Sequence, residues 1–323
     1  MIPRRTFVAS TLAAVALPAS AQPQPWPSKP IKLVVPYAPG GTTDVVARMV
    51  AEYLGKQLGQ NIIVDNKPGK GAMVGTALVA KAAPDGYSVV TVIAAHAANA
   101  TLYQNKLPFD PVKSFAPVSL AVVAPLILTV NNNFAPKNVK ELIDYAKKYP
   151  GKISFGSSGI GAAAHLTTEL FKQTTGVDMV HIPYKGTAPA LAGLMGTDIQ
   201  VLVDVPSTLM PHVRGGKVRA IAMFSAQRVP GAQEVPTIVE SGGPLIEAST
   251  WLLFLAPAGT PKAIVDRLSQ EASKVIQSPE MRARFDQLGI FPGGGTPEQA
   301  SKFLADEIAK WSKVITTAGV KAE

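Results

Sequence analysis

Ile31-Lys32-Leu33-Val34-Val35-Pro36-Tyr37-Ala38-Pro39-Gly40-Gly41-Thr42-Thr43-Asp44 reads as a strand running through a tight turn into a helix. Ile31–Tyr37 is a short apolar run, and a turn rich in Pro and Gly ends it. Beyond the turn, Val46, Met49, Val50, Tyr53, Leu54 and Leu58 recur at helical spacing, which predicts a helix over 43–58. Small residues before such a helix leave backbone N–H groups open to a ligand. The helix N-terminus carries about half a positive charge, so carboxylate or phosphate is favoured there. A ligand-free strand-to-helix turn uses the same residue types.

The pattern then repeats. Asn61–Val64 reads as a strand, 71–82 as a helix, Pro84-Asp85-Gly86 as a turn and Tyr87–Ile93 as a strand. Continuous apolar strands between helices predict parallel sheets buried on both faces. The stretch Val118–Val130 is interrupted by Pro125, which suits a strand leaving one sheet for another. A second α/β unit follows: helix 138–149, strand 153–155, helix 162–174, strand 179–182, helix 188–195, then apolar runs at 199–205 and 218–224. Trp251–Leu255 is another apolar strand, and the tail is mainly helical over 261–276, 279–288 and 297–317. This order predicts a discontinuous first domain, 28–123 with 256–323, and a second domain over 124–250. The hinge is expected near 122–129 and 251–255.

The second unit contains its own small-residue loop, Gly156-Ser157-Ser158-Gly159-Ile160-Gly161-Ala162, between a strand and a helix. If the units face each other across a cleft, two helix N-termini converge on one small molecule. That geometry suits an anion with carboxylates at both ends. Neither loop holds Arg, Lys or His, so amides, hydroxyls and water would grip the anion. Lys185 is the nearest candidate cation, with surface solvation as its alternative fate. Asp204 follows the buried run 199–203 and could accept from ligand or water, or cap the helix starting near Ser207. His96 and His165 lie near loop segments, while His181 and His212 suit packing or capping. His165 and Glu169, four apart on one helix, make an incomplete metal pair.

Enzyme signatures fail in definite ways. The loop at 156–161 lacks the Gly that G-x-S-x-G needs at position 160, where Ile stands. No dinucleotide fingerprint, P-loop or H-E-x-x-H is present, so no cofactor is expected. The chain has no Cys, which removes disulfides, thiolate metal sites and cysteine nucleophiles together. Its 31 Lys+Arg against 22 Asp+Glu give +9, but the basic residues are scattered and do not form a nucleic-acid surface. Met1–Ala21 reads as an export signal: Arg4-Arg5, an apolar Phe7–Leu17, and the cleavage site Ala19-Ser20-Ala21. Arg4-Arg5-Thr6-Phe7 fits twin-arginine export as well as the general route. Removing that segment lowers the charge from +9 to +7.

At Val35–Arg48 the chain resembles the Bug-type family, the periplasmic substrate-binding proteins of tripartite tricarboxylate transporters. The resemblance continues through Pro84-Asp85-Gly86-Tyr87, Phe115-Ala116-Pro117-Val118, Gly156-Ser157-Ser158-Gly159, His181-Ile182-Pro183-Tyr184-Lys185-Gly186, Pro236–Gly242 and Leu255–Pro261. It implies a two-domain α/β periplasmic-binding-protein fold of the second type, joined by a two-strand hinge. It also implies a periplasmic monomer that closes on a small carboxylate and delivers it to a two-subunit membrane permease. In such proteins the two loops hold the carboxylate, partly through ordered water. The candidate ligand-binding residues are therefore Tyr37, Ala38, Gly40, Gly41, Thr42, Thr43, Asp44, His96, Gly156, Ser157, Ser158, Gly159, Ala162, His165, Tyr184, Lys185 and Asp204. Three departures stand out: Ser114 before Phe115, Ala97-Ala98 at the expected cleft rim, and Leu252-Leu253 in the expected cleft wall. A ligand-sensing subunit of a signalling system and a secreted hydrolase are the alternative functions.

Overall fold

The computed structural model describes residues 26–322, so the export segment at 1–21 lies outside the described residues. The first part of the chain alternates β1 Ile31–Val35, α1 Thr42–Leu58, β2 Ile62–Asn66, α2 Met73–Ala80, β3 Ser88–Val92, α3 Ala94–Leu102 and β4 Phe115–Pro125. The middle holds β5 Ile127–Asn131, α4 Val139–Lys148, β6 Ser154–Ser157, α5 Ala163–Thr175, β7 Val180–Pro183, α6 Thr187–Met195, β8 Val201–Asp204, α7 Pro206–Arg214 and β9 Val218–Met223. The last part contains β10 Ser249–Pro257, α8 Lys262–Ile276, α9 Pro279–Leu288, β11 Phe291–Gly294 and α10 Pro297–Ala318.

These strands form two sheets, ordered β11-β4-β10-β3-β1-β2 and β7-β6-β8-β5-β9. In the first, β1 is parallel to β2 and β3, whereas β10 is antiparallel to β3 and β4, and β11 to β4. In the second, β6 is parallel to β7 and β8, and β5 is antiparallel to β8 and β9. Both sheets are therefore mixed, correcting the expectation of parallel sheets. The cause is the way the chain passes between them. β4 leads out of the first sheet and β10 leads back, so the two travel in opposite senses and pair antiparallel, Pro125 opposite Ser249.

The passage itself is narrow. Leu126 N–H donates to Ala248 O at 3.1 Å, Ala248 N–H to Phe224 O at 3.1 Å, and Phe224 N–H to Leu126 O at 2.8 Å. The run Val118–Val130 thus divides at Leu126. Trp251–Leu255 lies beyond the return crossing, inside β10, where its apolar side chains fill the centre of the first sheet. Leu252 and Leu253 are buried there and do not form a cleft wall.

One hydrophobic core runs across both sheets, with a smaller cluster under α6 and α7. α10 straps the two together. Thr296 and Gln299 form a capping box at its start, and Gly319 closes it in the left-handed region. The indole N–H groups of Trp251 and Trp311, both fully buried, donate to the same Glu307 Oε2 at 2.8 Å, fixing α10 on β10. Gln173 Nε2 donates to Val314 O at 3.0 Å, tying α5 to the same helix.

Two elements were not anticipated. α3 is built from Ala-rich sequence that favours helix without showing an apolar stripe. β11 carries Pro292 and Gly293, which a central strand would not tolerate; as the edge partner of β4 it can.

Candidate functional site

The first loop, between β1 and α1, is pinned from beneath. Gly40 adopts φ +86°, which its missing Cβ permits, and its N–H donates to Asp44 Oδ2 at 2.9 Å. Arg48 Nε donates to Asp44 Oδ2 at 3.0 Å, and its Nη2 lies 3.0 Å from Oδ1. Asn66 Nδ2 donates to Asp44 Oδ1 at 2.9 Å and to Tyr37 O at 3.1 Å. Burial pushes the Asp44 carboxyl up, but these hydrogen bonds and the Arg48 charge outweigh it and hold its pKa to about 2. Asp44 is buried and fully engaged; it shapes the loop and does not face the cleft. Ala38, Gly40 and Gly41 are exposed, while Thr42 and Thr43 are half-buried. Thr42 Oγ1 lies 3.5 Å from Ser207 Oγ in the first turn of α7, so this loop reaches across to the second sheet's helices.

The second loop, between β6 and α5, is held without formal charge. Ser157 Oγ lies 2.7 Å from His181 Nε2 and 3.0 Å from Gly159 O, and accepts the Gly159 N–H at 3.2 Å. His165 Nδ1 accepts the Gly161 N–H at 3.1 Å, which fixes its neutral tautomer. The imidazoles of His165 and His181 stack at 3.7 Å with planes 11° apart, and Phe155 stacks on His181 at 4.9 Å. Burial lowers both histidines, His165 to about 3 and His181 to about 4; Lys172 adds to each, and His181 lowers His165 further. Lys172 itself pairs with Glu169 at 2.9 Å. The His165–Glu169 pair is thus committed to loop and ion pair. Among the described residues, no group of three or more His, Asp or Glu could hold a metal.

Between the sheets lies a cavity of about 360 Å³. Leu126 at the crossing and Thr250 near the start of β10 line it. One wall comes from the first unit: Tyr37, Gly71, Ile93, Ala95, Asn99 and Tyr103. The other comes from the second: Ser158 through Ala164, Asp204 and Val205. The first turns of α3 and α5 border the space, and the first-turn N–H groups of a helix lack intrahelical acceptors. Among the described residues of this lining there is no Lys, Arg or His, and Asp204 is the one carboxylate. Asp204 Oδ2 accepts from Thr187 Oγ1 at 2.6 Å and Oδ1 from Val205 N–H at 2.7 Å. Burial pushes its carboxyl up against those two bonds. It does not cap α7, whose N-cap is Val205.

Of the residues singled out in the sequence, Tyr37, Ser158, Gly159, Ala162 and Asp204 therefore line the cavity. Gly156, Ser157 and His165 stand behind the second loop. His96 is placed elsewhere: its Nε2 lies 2.8 Å from Pro111 O, and it packs against Phe109 and Phe115 in a buried aromatic cluster. Burial lowers its pKa to about 4. Tyr184 is not in the lining: its ring packs on Gly193, where a Cβ would collide with it, and beside Gly156. Lys185 is exposed and outside the lining. Sequence reasoning placed the segment after β3 at the cleft rim through His96 and Ala97-Ala98, but it missed the residues that line the cavity there, Ala95, Asn99 and Tyr103, and those near the crossing, Leu126 and Thr250. Among the described residues, no helix is long and apolar enough to cross a membrane.

The model of the tripartite tricarboxylate transporter family receptor matches residues 46–320. BugT of Bordetella pertussis is 35% identical over 316 residues, which cover 98% of this chain and 96% of BugT. The structure of Rpa4515 of R. palustris with adipate matches with a TM-score of 0.81 at 35% identity, over 92% of this chain and 99% of that one. MatC (Rpa3494) from Rhodopseudomonas palustris with bound malate matches with a TM-score of 0.76 at 31% identity, over 90% and 100%. The architecture is that of two-domain periplasmic binding proteins. With its fold and nearly its whole described length accounted for, the chain belongs to the tripartite tricarboxylate transporter receptor family.

Proposed function

We propose that the protein captures a small carboxylic acid in the cavity between its two sheets and delivers it to a two-subunit membrane permease. It works as a receptor and not as a catalyst, as a periplasmic monomer exported by the segment at 1–21. Because β4 to Pro125 and β10 from Ser249 pair in the first sheet, the bounds expected from the sequence shift: the first domain comprises 28–125 with 249–323, the second 126–248. They close by rotation about the crossings at Leu126 and Ala248, where few torsions need to change. What carries the reading is the cavity wall: helix N-termini from both units, hydroxyls and amides, with no basic side chain among its described residues. Such a wall suits an anion held by amides, hydroxyls and water. The adipate held by Rpa4515 and the malate held by MatC are acids of that size and charge.

Calorimetric titration with adipate and malate tests the capture, and small-angle scattering at saturation tests the closure. Binding of either acid with compaction is expected. No heat with any small carboxylate, in a protein whose melting confirms folding, would remove the reading. Delivery is tested separately, by uptake of the labelled acid in cells lacking the chain and in cells given it back.

A further inference from the structure

The cavity is not electrically symmetric. Gly159, Gly161 and Ala162 spend their N–H groups within the second loop, which leaves the N–H groups of Ser158, Ile160 and the first turns of α3 and α5, with the Ser158 hydroxyl, on one side, whereas Asp204 presents a carboxylate with no Lys, Arg or His beside it among the described lining residues. Asp204 accepts one hydrogen bond at each oxygen, from Thr187 Oγ1 and Val205 N–H, while an ionised carboxylate offers about four acceptor sites. Acceptor capacity therefore remains on the cavity wall. Resting on the carboxylate reading above, we infer that Asp204 selects acids whose carbon chain bears a hydrogen-bond donor, a hydroxyl or an ammonium.

The physical grounds are two. A ligand carboxylate lying against Asp204 would place two like charges together in a partly desolvated space, which disfavours ionisation of both. A donor on the ligand reverses the sign: it fills a vacant acceptor site, and an ammonium adds charge pairing. The ligand's own carboxylates then lie toward the amide-rich parts of the wall, and its donor toward β8. An unsubstituted chain leaves the remaining acceptor sites of Asp204 desolvated without a donor.

Matched acids differing in one substituent test this: succinate, malate and aspartate at one length, and adipate with 2-aminoadipate at another. Malate or aspartate should bind at least tenfold more tightly than succinate, or 2-aminoadipate than adipate by the same factor. Asp204→Asn keeps the shape and loses the charge, so any advantage of an amino acid over its unsubstituted parent should fall at least tenfold. Thermal melting confirms that this variant folds. Substituted and unsubstituted acids binding equally at both lengths would overturn the selectivity and leave carboxylate capture intact, as would an unchanged ranking in Asp204→Asn. Failure of all five acids to bind would overturn both readings.

Discussion

The two glycine-rich loops make the same backbone turn, strand into helix, but are held by opposite chemistry. Beneath the first sits one ionised carboxylate, Asp44, collecting the Gly40 N–H, Asn66 and Arg48. Beneath the second sits a neutral stack, Phe155, His181 and His165, whose nitrogen accepts the Gly161 N–H. Their positions differ too. The second loop lines the cavity from Ser158 to Ala162, whereas from the first only Tyr37 does so, its remainder reaching toward α7. Similar sequence patterns thus fix similar turns without fixing what stabilises them or how much ligand surface they supply.

Acid separates them most strongly. Both loop histidines titrate well below the ordinary 6.5 when folded, so between pH 6.5 and about 3 the unfolded chain binds protons that the native stack refuses. Stability should therefore fall as pH falls through that window, by up to about 1.4 kcal/mol per pH unit from His165, with less from the more solvated His181. Asp44 behaves differently: its stabilisation is complete above pH 4 and is lost only as pH drops toward 2. His96 adds to the first window from outside both loops. Melting curves of the native protein and of His165→Asn, which keeps an acceptor but cannot titrate, isolate the stack. An identical pH slope in the two would show that it does not govern the second loop.

The next test acts on the first loop. Asp44→Ala leaves the Gly40 N–H without its acceptor and the Asn66 amide with Tyr37 O alone, with Arg48 still half in water. A loss of about 2–3 kcal/mol is expected in urea denaturation. Less than about 0.5 kcal/mol would mean that the carboxylate does not hold the turn. This function of Asp44 was only partly legible in the sequence: Arg48 lies one helical turn along α1, but Asn66 reaches the carboxylate only once β2 pairs with β1. The same limit misled the reading of His96 and Tyr184, whose partners Phe109 and Gly193 lie on other segments. The loops themselves were legible, since small residues between an apolar run and a helical pattern need no tertiary knowledge. Which side chains of α3 face the cavity was not, because an alanine-rich helix shows propensity without a face, so the rim was assigned to His96 and Ala97-Ala98 and not to Ala95 and Asn99.

Back at the second loop, Gly161 has φ +76°, and a Cβ there would run into the Leu102 side chain at the end of α3. Gly161→Ala should cost about 2 kcal/mol, part backbone strain and part displacement of Leu102. Because this contact joins the two units beside the cavity, ligand affinity should fall about tenfold or more as well. Unchanged affinity in the folded variant would detach the second loop from binding.

Adjacent residues of the first loop give the smallest and cleanest contrast. In the structure the positive φ, +86°, belongs to Gly40, while Gly41 is extended at φ −78° and ψ 166°, a conformation open to any residue. Neither position has an atom within 4 Å of an added Cβ, so strain alone distinguishes them. Gly40→Ala should destabilise by about 1 kcal/mol, the usual cost of the left-handed region. Gly41→Ala should be neutral, or stabilise by up to about 1 kcal/mol through the unfolded chain. Both are measured by denaturation without ligand. Titration of Gly41→Val then asks a separate question, since its backbone and space accept the side chain. Retained affinity would confine the grip to the second loop and the α3 wall, and loss of affinity in that stable variant would place the Gly41–Thr43 amides against the ligand in the closed state.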